Sequence, residues 1–419
     1  MQKNNHLLKH NISETLENLK ANRITVAVIF DRFGPYHVAR LEAADKYLEV
    51  IPIEVAGKTS EYLWDSVESN NLKRRITLFP DKATNQIGSK RLLSKLDECL
   101  EINKPDVVAI NGWHARSALI ALKWCLTNKV PSVVMSDSAA RDQKRFWHKE
   151  FIKNNIVKKF SAGLVGGKRH AKYLEKLGIK KENIFIGYDV VDNKYFEEQT
   201  DSIRFQRELY RKTNNLPENY ILVVSRFIEK KNLPFVIKAY SNYCKKMGSN
   251  AWHLCIVGDG ELKNALLSLS QELGLDELVH YVGFKQYNEL PVYFALAKVL
   301  IHASTSEQWG LVINEAMAAG LPVIVSENCG CVPELVHSGV NGFIFNPENE
   351  QDLSDIMCHI TKNESILEKM ALKSKEIISS FDVDTFGRAL YNASMAALKT
   401  ERKHLRVATR VIIQSLLYK

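Results

Sequence analysis

The chain alternates short apolar runs with longer segments whose apolar residues recur at helical spacing. In its first half the runs are I-T-V-A-V-I-F (24 to 30), V-I-P-I-E-V (50 to 55), R-I-T-L-F (75 to 79), D-V-V-A-I (106 to 110), S-V-V-M-S (132 to 136), A-G-L-V (162 to 165) and N-I-F-I (183 to 186). Short, mostly β-branched runs of this kind are expected of strands buried on both faces. A second series opens with I-L-V-V-S (221 to 225). It continues through H-L-C-I-V, V-H-Y-V-G-F (279 to 284), K-V-L-I-H-A-S (298 to 304), the P-V-I-V run that ends at 325, and G-V-N-G-F-I-F. Strands that alternate with helices predict doubly wound parallel sheets, hence an α/β fold with one sheet in each half. Ligands meet such sheets at the carboxyl ends of the strands. Residues 197 to 218, charged and containing Pro217, read as a linker between the halves. Residues 1 to 20 read as a polar helical lead-in.

One stretch organises the rest: S-T-S-E-Q-W-G-L-V-I-N-E-A-M-A-A-G-L-P-V-I-V, residues 304 to 325. It reads as a strand end, a polar loop from Ser304 to Trp309, a helix beginning at Gly310, a Gly320-Leu-Pro322 turn and a strand. A helix start offers unpaired N–H groups and a partial positive charge. A diphosphate could therefore dock on the backbone at Gly310, Leu311 and Val312. Glu307 and Glu315 bracket that start. Taken singly, either glutamate reads equally well as a residue complementing the helix dipole.

Taken together, E-x7-E followed by A-M-A-A-G-L-P-V resembles the donor-site signature of the retaining GT-B glycosyltransferases of family 4. The resemblance runs over roughly residues 24 to 390 and is sharper in the second half. It implies two Rossmann-like domains facing across a cleft, with Glu315 on the ribose hydroxyls of a nucleotide sugar and Glu307 beside the sugar ring. It also places an Arg and, five residues on, a Lys after the strand at 221 to 225, gripping the diphosphate; Arg226 and Lys231 have that spacing. Gly258 in the G-D-G turn, and Gly283 with Phe284, occupy cleft-facing turns, the latter near the base. Gly34 sits in the loop D-R-F-G-P-Y-H, where the family has Gly-Gly. Asp137 stands where several members have a sugar-contacting His. An Asp can accept hydrogen bonds from hydroxyls; capping of the following helix is the other reading. His114 is an alternative polar contact, and His37 is either a cleft residue or a helix-start residue.

These readings divide the chain into an acceptor-side domain (1–200), a nucleotide-sugar domain (215–385) and a helical segment (386–419) that returns to the first domain. The implied function is transfer of a sugar from a nucleotide diphosphate sugar to a glycan or lipid-linked acceptor with retention, in polysaccharide or glycolipid biosynthesis. A same-fold epimerase or hydrolase, and a non-catalytic sugar-nucleotide binder, stay open. No cofactor and no metal are expected, because side-chain cations would do that work. The D-V-D at 382 to 384 is discounted as a metal motif.

Composition adds location rather than chemistry. The chain has 419 residues and a formal charge of +9, yet residues 141 to 181 alone hold 13 Lys or Arg against 3 Asp or Glu. Such a stretch suits anionic partners, an anionic membrane surface among them, or is simply a solvated helical face. Within it, Phe146, Trp147, Phe151, Ile152, Ile156, Val157 and Phe160 recur at helical steps. Their expected place is against the sheet with lysines outward, with a membrane-surface helix as the alternative. The basic, amphipathic tail from 402 to 419 reads as a surface helix, with a membrane contact as the alternative. No motif points to nucleic acid. Seven scattered cysteines, no apolar leader and no long apolar run predict a cytoplasmic protein, with a peripheral position on the inner membrane face left open.

Overall fold

The computed structural model describes residues 23–59, 71–142 and 145–417; the lead-in at 1 to 20 lies outside the described residues. Each apolar run becomes a strand: β1 (Thr25–Phe30), β2 (Glu49–Lys58), β3 (Ile76–Ala83), β4 (Val107–Asn111), β5 (Ser132–Ser136), β6 (Ala162–Val165) and β7 (Ile184–Ile186), then β8 (Tyr220–Val224), β9 (His253–Val257), β10 (Val279–Gly283), β11 (Val299–His302), β12 (Val323–Ser326) and β13 (Gly342–Phe345). The first seven form one parallel sheet in the order β3-β2-β1-β4-β5-β6-β7, and the other six a second in the order β10-β9-β8-β11-β12-β13.

Both sheets are covered on both faces, and the strand period shows how. In β1, Val26, Val28 and Phe30 enter one core while Ala27 and Ile29 enter the opposite one. In β8, Ile221 and Val223 face one core and Tyr220 and Leu222 the other. Strand order reverses beside β1 and β4 in the first sheet, and beside β8 and β11 in the second. These are the switch points at which doubly wound sheets bind ligands. The loops following those four strands carry Gly34, His114, Arg226 with Lys231, and Glu307.

The stretch from 197 to 218, read as a linker, is mostly helical: helices Asn193–Phe205 and Arg207–Thr213 occupy most of it, and Phe196, Thr200 and Ile203 are buried at helical spacing. One expectation is corrected. Residues 146 to 152 do not pack on the sheet. Helix Trp147–Val157 buries only Ile156 and Val157, leaving Phe146, Trp147, Phe151 and Ile152 exposed.

The last long helix, Val383–Lys399, starts where Asp382 accepts the Thr385 N–H at 2.8 Å, and packs on helix Pro35–Ala44 and the first sheet. At Gly387 a Cβ would lie 2.9 Å from the Ala43 carbonyl oxygen, so glycine permits this close crossing. The aspartates of D-V-D thus act locally: Asp382 caps the helix, and Asp384 accepts from Tyr47 Oη at 2.9 Å. The tail forms helix Val407–Leu417, which packs on helices Arg116–Asn128 and Trp147–Val157 and buries Ile413 and Leu417.

Candidate functional site

The site is assembled from loops at the carboxyl ends of the central strands. After β8 the chain turns through Phe227, which is buried, and a short 3-10 segment Glu229–Lys231 into helix Leu233–Met247. Arg226 is exposed on this loop. The Thr305 N–H donates to the Lys230 carbonyl at 2.9 Å, tying the loop after β11 to the loop after β8. Lys231 Nζ is ion-paired with Glu307 Oε2, so the two residues meet directly.

Glu307 is held from three sides. Besides Lys231 it accepts from Ser304 Oγ at 3.1 Å and lies 3.4 Å from His302 Nε2. Burial on its own would raise its pKa. The His302 hydrogen bond and the Lys231 charge outweigh that and hold the carboxyl well below its ordinary value. Glu307 is therefore an anion with a fixed orientation. Gly310, with φ of 102°, caps helix Leu311–Ala318; a Cβ there would lie 3.0 Å from Ile313 Cδ1. The first-turn N–H groups of Leu311 and Val312 have no residue ahead of them in the helix to bond.

Glu315, further along this helix, is 1 % exposed. Its Oε1 accepts from Tyr36 Oη, a contact that spans the two domains. Burial lifts the Glu315 pKa to about 8, although the Tyr36 hydrogen bond opposes the rise. The Tyr36 ring stands edge-on to Tyr287 at 5.6 Å, and Tyr287 stacks on Tyr195 at 5.0 Å. Tyr36 thus takes up a hydrogen-bonding position at Glu315 Oε1 from across the cleft.

On the other side lies a cleft of about 780 Å³ between the domains. Its lining brings together Gly34, His37, His114 and Asp137 from the first domain with Gln308 and Leu311 from the second. Asp137 does not cap a helix, since the next one begins ten residues later at Trp147. Its Oδ1 instead accepts from Gln308 Nε2 at 3.2 Å. Burial raises the Asp137 pKa, helped by Asp142 and Glu307 and opposed by backbone N–H and Arg40. His37 sits in the first turn of helix Pro35–Ala44, and its Nδ1 accepts the Gly34 N–H at 3.0 Å. Burial, with Arg40 and Arg32 nearby, pushes its pKa down to about 3, so it is a neutral cap at the cleft wall. His114 is exposed there. Gly34 has φ of −114°, and a Cβ would meet only His37 Nδ1 at 3.7 Å; the backbone itself does not demand glycine.

Arg226, Lys231, Gly258 and Phe284 lie outside that cleft lining, on the loops after β8, β9 and β10, as does Gly283, the last residue of β10. Gly258 has a structural reason for being glycine: with φ of 143°, a Cβ would fall 1.8 Å from the Ser225 carbonyl oxygen. Its N–H donates to the Gly283 carbonyl at 2.9 Å, so the three turns brace one another. At Gly283 (φ 83°) nothing crowds a Cβ, and the turn conformation alone favours glycine.

Several residues in this neighbourhood carried no signal of their own in the sequence: Tyr36, His302, Gln308 and Arg40. Arg40 donates to the Val190 carbonyl at 2.9 Å and approaches Asp189, whose buried carboxyl is raised to about 8 by burial and by Asp137. Part of the basic stretch also serves the domain contact. Arg141 and Arg169 both donate to the Cys329 carbonyl, at 3.3 and 3.2 Å, and the Lys168 N–H donates to Glu334 Oε1 at 2.8 Å.

Two Rossmann-like domains apposed across such a cleft define the GT-B glycosyltransferase architecture, and comparison with solved structures agrees. A glycosyltransferase from Rickettsia africae superposes with a TM-score of 0.71 over 91% of this chain and 100% of its own, at 18% identity. Anabaena HepE in complex with UDP gives 0.68 over 88% and 98%, also at 18% identity. At that identity the likeness is one of fold. In sequence, residues 206–377 match the family Glycosyl transferases group 1, so the second domain carries that family's signature. Alpha-monoglucosyldiacylglycerol synthase of Acholeplasma laidlawii is 31% identical over 37% of this chain and 38% of its own length. Lipopolysaccharide glucosyltransferase WaaG of Escherichia coli is 28% identical over 40% and 43%. The chain thus matches less than half the length of these two relatives.

Proposed function

We propose that the protein transfers a sugar from a nucleotide diphosphate sugar to a glycan or lipid-linked acceptor, with retention of anomeric configuration. The observation that carries this reading is the Lys231–Glu307 pair at the start of the helix that bears Glu315. Arg226, Lys231 and the N–H groups of Leu311 and Val312 would receive the diphosphate and offset the charge it gains on leaving. The donor's diphosphate would compete with Glu307 for Lys231. Glu315 would accept from the ribose hydroxyls once Tyr36 yields. Glu307, already ionised, and Asp137 would orient the sugar ring, with Gly283 and Phe284 near the base. The bond from the anomeric carbon to the diphosphate breaks as the acceptor oxygen bonds on the same face, and the acceptor proton passes to the departing diphosphate. Domain closure over the cleft keeps water from competing. With two side-chain cations and a helix start on the leaving group, this scheme calls for no metal or cofactor.

The names of the relatives support the substrate classes. HepE is seen with UDP and with UDP-glucose, and the two relatives named above are a monoglucosyldiacylglycerol synthase and a lipopolysaccharide glucosyltransferase. Among the described residues no helix is long and apolar enough to cross a membrane. We place the protein on the cytoplasmic side, meeting a lipid-linked acceptor from the membrane surface. A thermal-shift screen of UDP-, GDP- and ADP-sugars tests the donor site: at least one should stabilise the wild type, and less so Glu315→Ala. A well-folded protein that none of them stabilises would remove the donor site from the account.

A further inference from the structure

We infer that helix Trp147–Val157 and the residues just before it form a docking surface for an anionic lipid bilayer. Trp147 is 83% exposed, Phe151 63% and Phe146 49%, a cluster of large apolar side chains at one end of one short helix. Scattered exposed apolar residues need no explanation, but a contiguous aromatic group does. The cations beside it point to the partner's chemistry. Lys149 Nζ lies over the Phe146 ring at 5.1 Å, and Arg145, Lys153, Lys158 and Lys159 fall in the same stretch. The acidic residue of this helix, Glu150, is turned inward and occupied: it accepts from Tyr173 Oη at 3.0 Å and pairs with Lys153 at 3.0 Å and Arg145 at 3.3 Å. The outward face keeps the exposed rings and the exposed cation Lys149, and the helix has no exposed carboxylate to oppose them. That combination suits an interface of acyl chains and anionic headgroups, where aromatic rings sit at the boundary and lysines reach the charge.

Topology places the start of this helix on the side of the sheet where the strands end and the cleft opens. Strand β5 ends at Ser136, and Ser136 and Asp137 line the cleft. The connecting loop is pinned by Arg145, whose Nε donates to the Ala140 carbonyl at 2.6 Å. In a parallel sheet the next helix starts at the strand's carboxyl end, so the aromatic end of this helix lies on the cleft side. A bilayer touching Trp147 and Phe151 would present a lipid-linked acceptor towards Asp137. Only that use of the surface rests on the proposed sugar transfer; the binding itself does not.

The test is sedimentation of the full chain with vesicles of phosphatidylcholine alone, or of phosphatidylcholine mixed with phosphatidylglycerol. The wild type should bind the mixed vesicles, release as salt is raised, and bind pure phosphatidylcholine far less. The double variant Trp147→Ser/Phe151→Ser should lose about tenfold or more in partitioning, from the apolar area no longer buried. Lys149→Glu should lose roughly fivefold or more, the worth of one interfacial cation. Both variants change exposed side chains, and unfolding midpoints like the wild type's would show that they fold. Equal binding of wild type and double variant to mixed vesicles, or no binding by the wild type, would overturn the inference. So would a wild-type dimer in sedimentation velocity that Trp147→Ser/Phe151→Ser dissolves, since a second copy would then be the occupant. A protein that binds vesicles but no nucleotide sugar would sink the transfer reading and leave this surface standing.

Discussion

Replacing Lys231 with methionine keeps an unbranched side chain one atom shorter and removes its charge. Lys231 and Glu307 are each 13% exposed, so their pair is largely withdrawn from water. An anion left wholly uncompensated in such a place costs about 3–5 kcal/mol. Here Glu307 keeps the Ser304 hydroxyl at 3.1 Å and the His302 ring at 3.4 Å. The loss should therefore be nearer that of one charge-assisted hydrogen bond, about 1.5–3 kcal/mol. The loss also has a pH signature. The Glu307 pKa is depressed in the folded protein, so its stabilising effect is full above the ordinary value of 4.5 and is lost as pH falls toward the folded value. The difference in stability between wild type and Lys231→Met should be constant above that pH and shrink below it. Turnover should fall much further than such a stability loss explains, because Lys231 is also asked to stabilise the leaving diphosphate. By analogy with one oxyanion-stabilising donor, kcat should drop about 10²- to 10³-fold, or about 2.7–4 kcal/mol. Urea denaturation across pH gives the first quantity, and nucleotide diphosphate release at saturating donor gives the second. A destabilised variant with unchanged kcat would show the pair to be structural only.

Glu315→Gln should flatten the pH dependence of stability. The folded pKa of Glu315, about 8 against an ordinary 4.5, means that the folded state binds its proton more tightly, so stability is fullest below 4.5 and is lost as pH rises through 8. Denaturation midpoints across that window should fall for the wild type and hold steadier for the variant, while calorimetry shows weaker nucleotide binding by the variant; equal slopes or wild-type affinity would contradict this role. Gly258→Ala, with its Cβ 1.8 Å from the Ser225 oxygen, should cost about 3 kcal/mol or more in chemical denaturation. A near-neutral result would mean that the turn is not held as described. Arg226→Ala should lower kcat about 10²-fold or more, with little effect on the unfolding midpoint because the residue is exposed; unchanged kcat would take Arg226 out of the diphosphate site.

The strands were legible because buried parallel strands are runs of apolar residues, and each run recovers its strand to within a few residues. The meeting of Lys231 with Glu307 was legible only indirectly, through motif spacing, because 76 residues separate them and the switch point of the second sheet unites their loops. Contacts between domains were not legible. Tyr36 reaches Glu315 across 279 positions, and Gln308 reaches Asp137 across 171. Such pairs depend on how the two sheets are apposed, which no local pattern of polar and apolar residues encodes. The helices at 193 to 213 were hidden by their charge, although Phe196, Thr200 and Ile203 do mark a buried face. The aromatic residues at 146 to 151 misled in the opposite sense. Helical spacing predicts a buried stripe, yet only the later turn of that helix reaches the core.

The central claim is that the two sheets hold a nucleotide sugar so that cations on the second draw its diphosphate away while an acceptor takes the sugar. Its most direct measurement is the release of nucleotide diphosphate from the most stabilising donor, with and without a lipid-linked or glycan acceptor, alongside identification of the product. The account predicts release that depends on the acceptor and a product glycoside with the donor's anomeric configuration. Release of equal rate without acceptor, or conversion of the nucleotide sugar with no glycoside formed, would contradict it.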